Sequence, residues 1–314
     1  MIEVPDSPLM AERRRLWRRH NDLDSDRPMI LAETGGVTPE IAPTLALGCT
    51  EAWARGLESG LRMRLFQHER VDDDHVIEPY LTCSWQVRST NYGVEKVVHR
   101  ADTDGGLGAS SWDAPIADLQ RDFHRLKPRE FSVDREATLA WQAHLEKVFA
   151  GILPVQMRGG YGAWTMGMTI VAIDLIGLEN LMLFMYDDPA GLHRLMAFLR
   201  DDHLAYLDFM ESEGLLGFNN EADYVGSGSL GYTDQLPQAD WQPGAPVRLR
   251  DLWVLSESQE TVGVGPEQFA EFIFPYQQTI AERFGLTYYG CCEPVHTRWD
   301  VIRQLKNLRK ISVS

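Results

Sequence analysis

The sequence is short of cysteine, of basic charge and of long apolar runs. Only four cysteines occur in 314 residues, and two of them, Cys291 and Cys292, are adjacent. Neighbouring cysteines bridge only with strain, so the four do not form a disulfide framework, and a reducing cytoplasm is the expected location. Lys and Arg number 30 against 46 Asp and Glu, a formal charge of −16. That balance excludes general affinity for nucleic acid or for an anionic membrane surface, which needs a basic footprint. No apolar run approaches the roughly 20 residues of a membrane span. The N-terminus has no apolar signal core. Its basic cluster, ERRRLWRRH (12–20), sits beside Glu3, Asp6 and Glu12 and reads as an exposed helix face rather than a transit peptide. There is no CxxC, no HExxH, no internal repeat and no low-complexity tract.

What is present is the composition of a globular chain, with 44% hydrophobic and 24% charged residues. Residues 8–23, 50–70 and 135–151 have helical apolar spacing, the last closed by Gly151. Residues 174–188 are apolar and helical; Asp188 then caps a helix with Pro189 in its first turn, running to about Glu213. Another helix, 265–285, carries an internal proline, and a short one follows at 297–307. Strands are expected near residues 28, 78, 155, 217, 253, 287 and 311. Strand and helix thus alternate from residue 27 onward, with an irregular excursion at about 88–134. That order predicts parallel strands with helical crossovers, an α/β fold of the (β/α)8 TIM-barrel type, in one domain spanning 1–314. The chain stops on the seventh strand, so the last strand–helix unit is expected to be missing. An uncovered seventh strand invites pairing with a second copy, a homo-oligomer.

In such a barrel the chemistry lies where strands end. The expected strand ends are AETGG, MRGGYGAW, NNEADYVGSGS, SESQE and GCCEPVH. They bring forward Glu33, Arg158, Trp164, Asn220, Glu221, Tyr224, Glu257, Glu260, Cys291, Cys292, Glu293 and His296. Glu221 and Glu257 are the candidates for general acid or base. Arg158 suits an anionic substrate group, while Trp164, Asn220 and Tyr224 suit the walls of a pocket. Thiolates and an imidazole suit zinc, with Cys291, Cys292, His296 and Glu293 as candidate ligands. On an extended segment adjacent side chains point apart, so one cysteine is expected to face the site. Against the metal stands the plain alternative of cysteines packed as small hydrophobes. GSGSLG (226–231) matches GxGxxG, yet YTDQLPQADWQPGAP follows it and no helix opens there. Its glycines read instead as shaping a mobile active-site loop. His193 and His203 read as helix-surface or packing residues, and His124 and His144 belong to no recognisable constellation.

The segment SESQETVGVGPEQFAEFIFPYQQTIAERFGLTYYGCCEPVH, followed by LKNLRKISVS, resembles the uroporphyrinogen decarboxylase superfamily. The resemblance is closer to the branch related to cobalamin-dependent methyltransferases. GLENLMLFMYDDPAGLHRLMAFL and GSGSLGYTDQLP fit it too; it covers 150–314 well and 8–50 loosely. It implies a (β/α)8 barrel. It also implies zinc-assisted methyl transfer between a corrinoid carried by a partner protein and a small acceptor, zinc turning a thiol substrate into a nucleophile. The family's histidine falls at Tyr289, its first cysteine at Cys291, and its second beyond Ser314; Cys292, Glu293, His296 or Glu221 would substitute. The arginine-rich N-terminal motif of true uroporphyrinogen decarboxylases is absent from RRRLWRRHNDL, which disfavours tetrapyrrole decarboxylation. Beside methyl transfer stand a metal-independent decarboxylase or lyase of the same superfamily, with Glu221 or Glu257 as acid or base, and a non-catalytic ligand-binding member. Each takes a small-molecule substrate or ligand.

Overall fold

The computed structural model describes residues 4–100, 110–159 and 167–313. Its helices are α1 (Pro8–Asn21), α2 (Thr38–Ile41), α3 (Ala52–Arg70), α4 (Leu119–Asp122), α5 (Arg135–Val148), α6 (Met168–Ile176), α7 (Leu178–Asp187), α8 (Pro189–Ser212), α9 (Pro266–Phe272), α10 (Phe274–Ala281) and α11 (Trp299–Ile302). Its strands are β1 (Leu81–Cys83), β2 (Val87–Ser89), β3 (Val97–Arg100), β4 (Ser110–Asp113), β5 (Phe131–Val133), β6 (Val155–Met157), β7 (Tyr224–Gly226), β8 (Ser229–Leu230), β9 (Trp253–Ser256), β10 (Leu286–Tyr289) and β11 (Leu308–Ile311). The chain divides into two compact units. One comprises Met1–Cys83, Gln142–Gln156 and Asn219–Gln235; the other comprises Ser84–Trp141, Met157–Phe218 and Leu236–Ser314.

The first unit is built on α1. Ser7 caps this helix by accepting a hydrogen bond from the Met10 N–H, and Pro8 occupies its first turn, where the missing N–H costs nothing. Met10 and Trp17 pack with Val76, Ile77, Leu230 and Tyr232 into a small core. The indole N–H of Trp17 donates to the Asp74 carbonyl at 2.8 Å, so its one polar atom is satisfied inside. Asn21, fully buried, donates to the carbonyls of Leu230 and Tyr232 and ties the end of the helix to hairpin β7–β8. GSGSLG is therefore the tip of this antiparallel hairpin, with Gly228 at φ 66°.

The second unit holds the larger core, in which α6 to α10 pack with Val254 and Tyr289 of a three-stranded parallel sheet ordered β11-β10-β9. Its helix boundaries have local causes. Gly177, at φ 83° and ψ 153°, separates α6 from α7. Asp188 caps α8 by accepting from the Gly191 N–H at 3.0 Å, with Pro189 beside it. Pro275 lacks an N–H, and the expected 265–285 helix is split into α9 and α10 at Ile273.

The expected closed barrel is not formed. Among the described residues the sheets have two or three strands, and β2–β5, β3–β4 and β7–β8 are antiparallel. The reason is visible where strands were expected. Along 27–33 the Ile30 and Ala32 N–H groups donate to the carboxylates of Asp74 and Asp73, not to a neighbouring strand. Near residue 217 no strand forms; Leu215 and Leu216 are buried in the large core, and the next strand begins at Tyr224. The described part of the excursion holds the paired strands β2–β5 and β3–β4. Among the described residues no single helix is long and apolar enough to cross a membrane.

Candidate functional site

Three parallel strands end side by side at one edge of the second unit, and the reactive residues follow them directly. Glu257 and Ser258 come after β9, Gly290 to Glu293 after β10, and Ser312 after β11. Backbone bonds hold the ends in register. The Gly290 N–H donates to the Ser256 carbonyl and the Ser312 N–H to the Tyr289 carbonyl, each at 2.8 Å. Gly290 takes φ 100°, which turns the chain out of β10 and which a side chain would resist.

Glu257 is only 2% exposed. One of its carboxylate oxygens accepts from the Gln259 N–H at 2.9 Å. The other lies against Gly167, where a methyl group would come within 2.0 Å of it and would push the carboxyl out of this position. Burial pushes Glu257 up to about 7; the Gln259 N–H pulls the other way, and the nearby carboxylates of Glu260 and Glu293 reinforce the rise. Glu260 itself accepts from the Thr169 hydroxyl at 2.7 Å.

Glu293 has a different role. Its carboxylate accepts from the Ser258 N–H at 2.8 Å, the Ser258 hydroxyl at 3.1 Å and the Arg298 guanidinium at 3.1 Å. Both side chains of the Glu293–Arg298 pair are wholly buried. Arg298 also donates to the Thr261 hydroxyl and to the Thr261 and Val264 carbonyls, and it lies over the Phe269 ring at 4.6 Å. Burial raises Glu293 and lowers Arg298; the Ser258 N–H opposes the first shift, and the attraction within the pair opposes both. Tyr289 completes the network. Its hydroxyl lies 3.0 Å from that of Ser258 and donates to Gln277, whose amide donates to the Glu257 carbonyl. Burial raises the Tyr289 phenol well above its ordinary value, keeping it a neutral donor. The loop after β9 is thus pinned from three sides.

Cys291 and Cys292 stand between these fixed points, with Sγ atoms 3.7 Å apart; Cys291 is half-buried and Cys292 exposed. The Ser312 hydroxyl donates to the Cys291 carbonyl at 2.9 Å. His296 is exposed and, with Pro294, Val295 and Trp299, lines a mostly apolar cavity of about 250 Å3. On β11, Lys310 is carried down to about 7 by burial and lies 5.8 Å from the centre of the Trp253 ring.

Of the residues expected at the site, Glu257, Glu260, Cys291, Cys292, Glu293 and His296 gather at this edge. Arg158 follows β6 in the same unit, its backbone closed so tightly on Gly217 that a methyl group there would lie 2.9 Å from the Arg158 Cα. Asn220, Glu221, Tyr224 and Glu33 belong to the other unit. There Glu221 accepts from the Tyr80 hydroxyl at 2.5 Å, and Tyr224 donates to Glu33 at 2.9 Å. Trp164 lies outside the described residues. As a zinc site, the two thiols offer two corners, but Glu293 is committed to Ser258 and Arg298. Among the described residues no three His, Cys, Asp or Glu side chains converge to hold a metal ion. Ser258, Gln277, Tyr289, Arg298 and Lys310 are not among the expected site residues. Only the strand pattern of LTYYG, which buries Tyr289, pointed to one of them. No family model, no curated protein and no solved structure matches the chain.

Proposed function

We propose that the chain is a metal-independent lyase of the decarboxylase type, in which Glu257 carries the proton. The observation that carries this reading is a buried carboxyl, held near 7, at the carboxyl-terminal edge of a parallel sheet. A carboxyl that ionises only near pH 7 is about half protonated there, and its protonated form can protonate carbon as a carboxyl group leaves as carbon dioxide. The bonding pair of the broken bond stays on carbon, and the proton of Glu257 replaces the lost group. Ser258, Tyr289 and Glu293 position the loop that presents Glu257. Arg158 is the residue assigned to the anionic end of a small substrate. A metal-independent lyase is one of the activities that the resemblance to the uroporphyrinogen decarboxylase superfamily admits, and the thiols support a cytoplasmic setting. The test is carbon dioxide release from a panel of small carboxylic acids in the presence of a strong chelator. Activity that survives chelation and falls about 100-fold or more in Glu257→Gln is expected; activity retained in Glu257→Gln refutes the assignment.

A second reading rests on the thiol pair, whose 3.7 Å spacing matches two sulfurs on one tetrahedral zinc, given Zn–S bonds of about 2.3 Å. In it the chain moves a methyl group between a corrinoid-carrying partner and a small acceptor. Among the described residues no third ligand converges on the pair. Elemental analysis of protein purified without added metal separates the two readings: the lyase account predicts no stoichiometric zinc, and about one zinc per chain favours methyl transfer.

A further inference from the structure

The lyase reading leaves Cys291 and Cys292, and the exposure of Cys292, without a role. Their sulfurs are 3.7 Å apart, and Cys292 is open to solvent. They form a two-residue arch between firm anchors. On one side is Gly290, bonded to Ser256; on the other is Glu293, fully buried and bonded to Ser258 and Arg298. The other cysteines, Cys49 and Cys83, belong to the other unit, and Cys83 is buried.

We propose that Cys291 and Cys292 are a redox modification site, a vicinal dithiol that closes to a disulfide by exchange with a small disulfide of the glutathione type. The thiolate of exposed Cys292 attacks one sulfur of the small disulfide. Its S–S bond breaks, one small thiolate leaves, and a mixed disulfide forms on Cys292. The Cys291 thiolate then attacks the Cys292 sulfur and expels the second small thiolate. Two protein thiols are oxidised by two electrons, the small disulfide is reduced to two thiols, and the two protons pass to the departing thiolates. The second step is intramolecular between adjacent residues and outruns release of the mixed adduct.

The product is a switch rather than a staple. A trans peptide fixes adjacent Cα atoms about 3.8 Å apart, below the roughly 4.4–6.8 Å of relaxed disulfides. The ring is therefore strained, and strained, exposed disulfides are the readily reduced, regulatory kind. Closing it twists the 291–292 peptide directly ahead of Glu293, and so acts on Ser258 and the loop bearing Glu257.

The experiment uses the full, reduced chain under anaerobic conditions, incubated with oxidised glutathione, quenched with acid, alkylated and mapped by mass spectrometry. The expected product is a 291–292 peptide that has lost two hydrogens, carries neither glutathione nor alkyl group, and returns to the dithiol with dithiothreitol. It should exceed the mixed disulfide by about tenfold or more. In Cys291→Ser a stable glutathione adduct on Cys292 is expected, since the resolving thiol is gone. A wild-type chain that keeps glutathione on Cys291 or Cys292 without closing the ring overturns the proposal. So does one that links either residue to Cys49 or to a second chain. The wild-type map decides the matter even where the variant fails to fold.

Discussion

At the scale of single residues, Glu257 and the Glu293–Arg298 pair make opposite demands. Glu257 holds its proton well above the ordinary carboxylate range because burial outweighs its backbone donor, and its carboxyl is raised from an ordinary value near 4.3 to about 7. The folded chain therefore binds more protons than the unfolded one across this interval. The stability from this group is full below about pH 4 and is lost as pH rises through about 7, a change of roughly 3–4 kcal/mol. Urea unfolding at a series of pH values should show that decline in the wild type and its absence in Glu257→Gln. Glu293 and Arg298 satisfy each other instead. Removing only Glu293, as Glu293→Ala, leaves a buried guanidinium unpaired and should cost about 3–5 kcal/mol. Removing both, as Glu293→Ala with Arg298→Met, should cost less than the sum of the single changes in a double-mutant cycle. Strand-end logic was enough to bring forward Glu257, Cys291, Cys292 and Glu293. It could not show that Glu293 is an anchor, because that depends on Arg298, which in TRWDVIR reads as one more helix-surface cation.

At the scale of elements, the helices were legible where local chemistry closes them. Ser7 with Pro8, and Asp188 with Pro189, mark true starts. The break between α6 and α7 was not read, although its signal was present. Gly177 adopts a backbone conformation that is nearly confined to glycine. Gly177→Ala should therefore destabilise the chain by about 1–3 kcal/mol, measured as a lower urea midpoint with unchanged slope. The strands β9, β10 and β11 were legible as short apolar runs before polar loops. The barrel was not, because sheet closure depends on distant partners that no local pattern reports. The segment 27–33 looks like a strand, yet its amide hydrogens go to the side chains of Asp73 and Asp74.

At the scale of the whole molecule, the formal charge of −16 governs what the chain avoids. It should pass through a nucleic-acid column at low ionic strength without retention, and screening its self-repulsion with salt should raise the urea midpoint. The central claim is that this acidic chain keeps one carboxylic acid protonated near neutrality at the edge of its parallel sheet. Infrared difference spectroscopy of the wild type against Glu257→Gln, recorded across pH, tests it most directly. The account predicts a protonated-carboxyl band that is present at pH 5, lost in Glu257→Gln, and titrates in the wild type at about 7. A Glu257 carboxyl that ionises near the ordinary glutamate value of about 4.3 would contradict it.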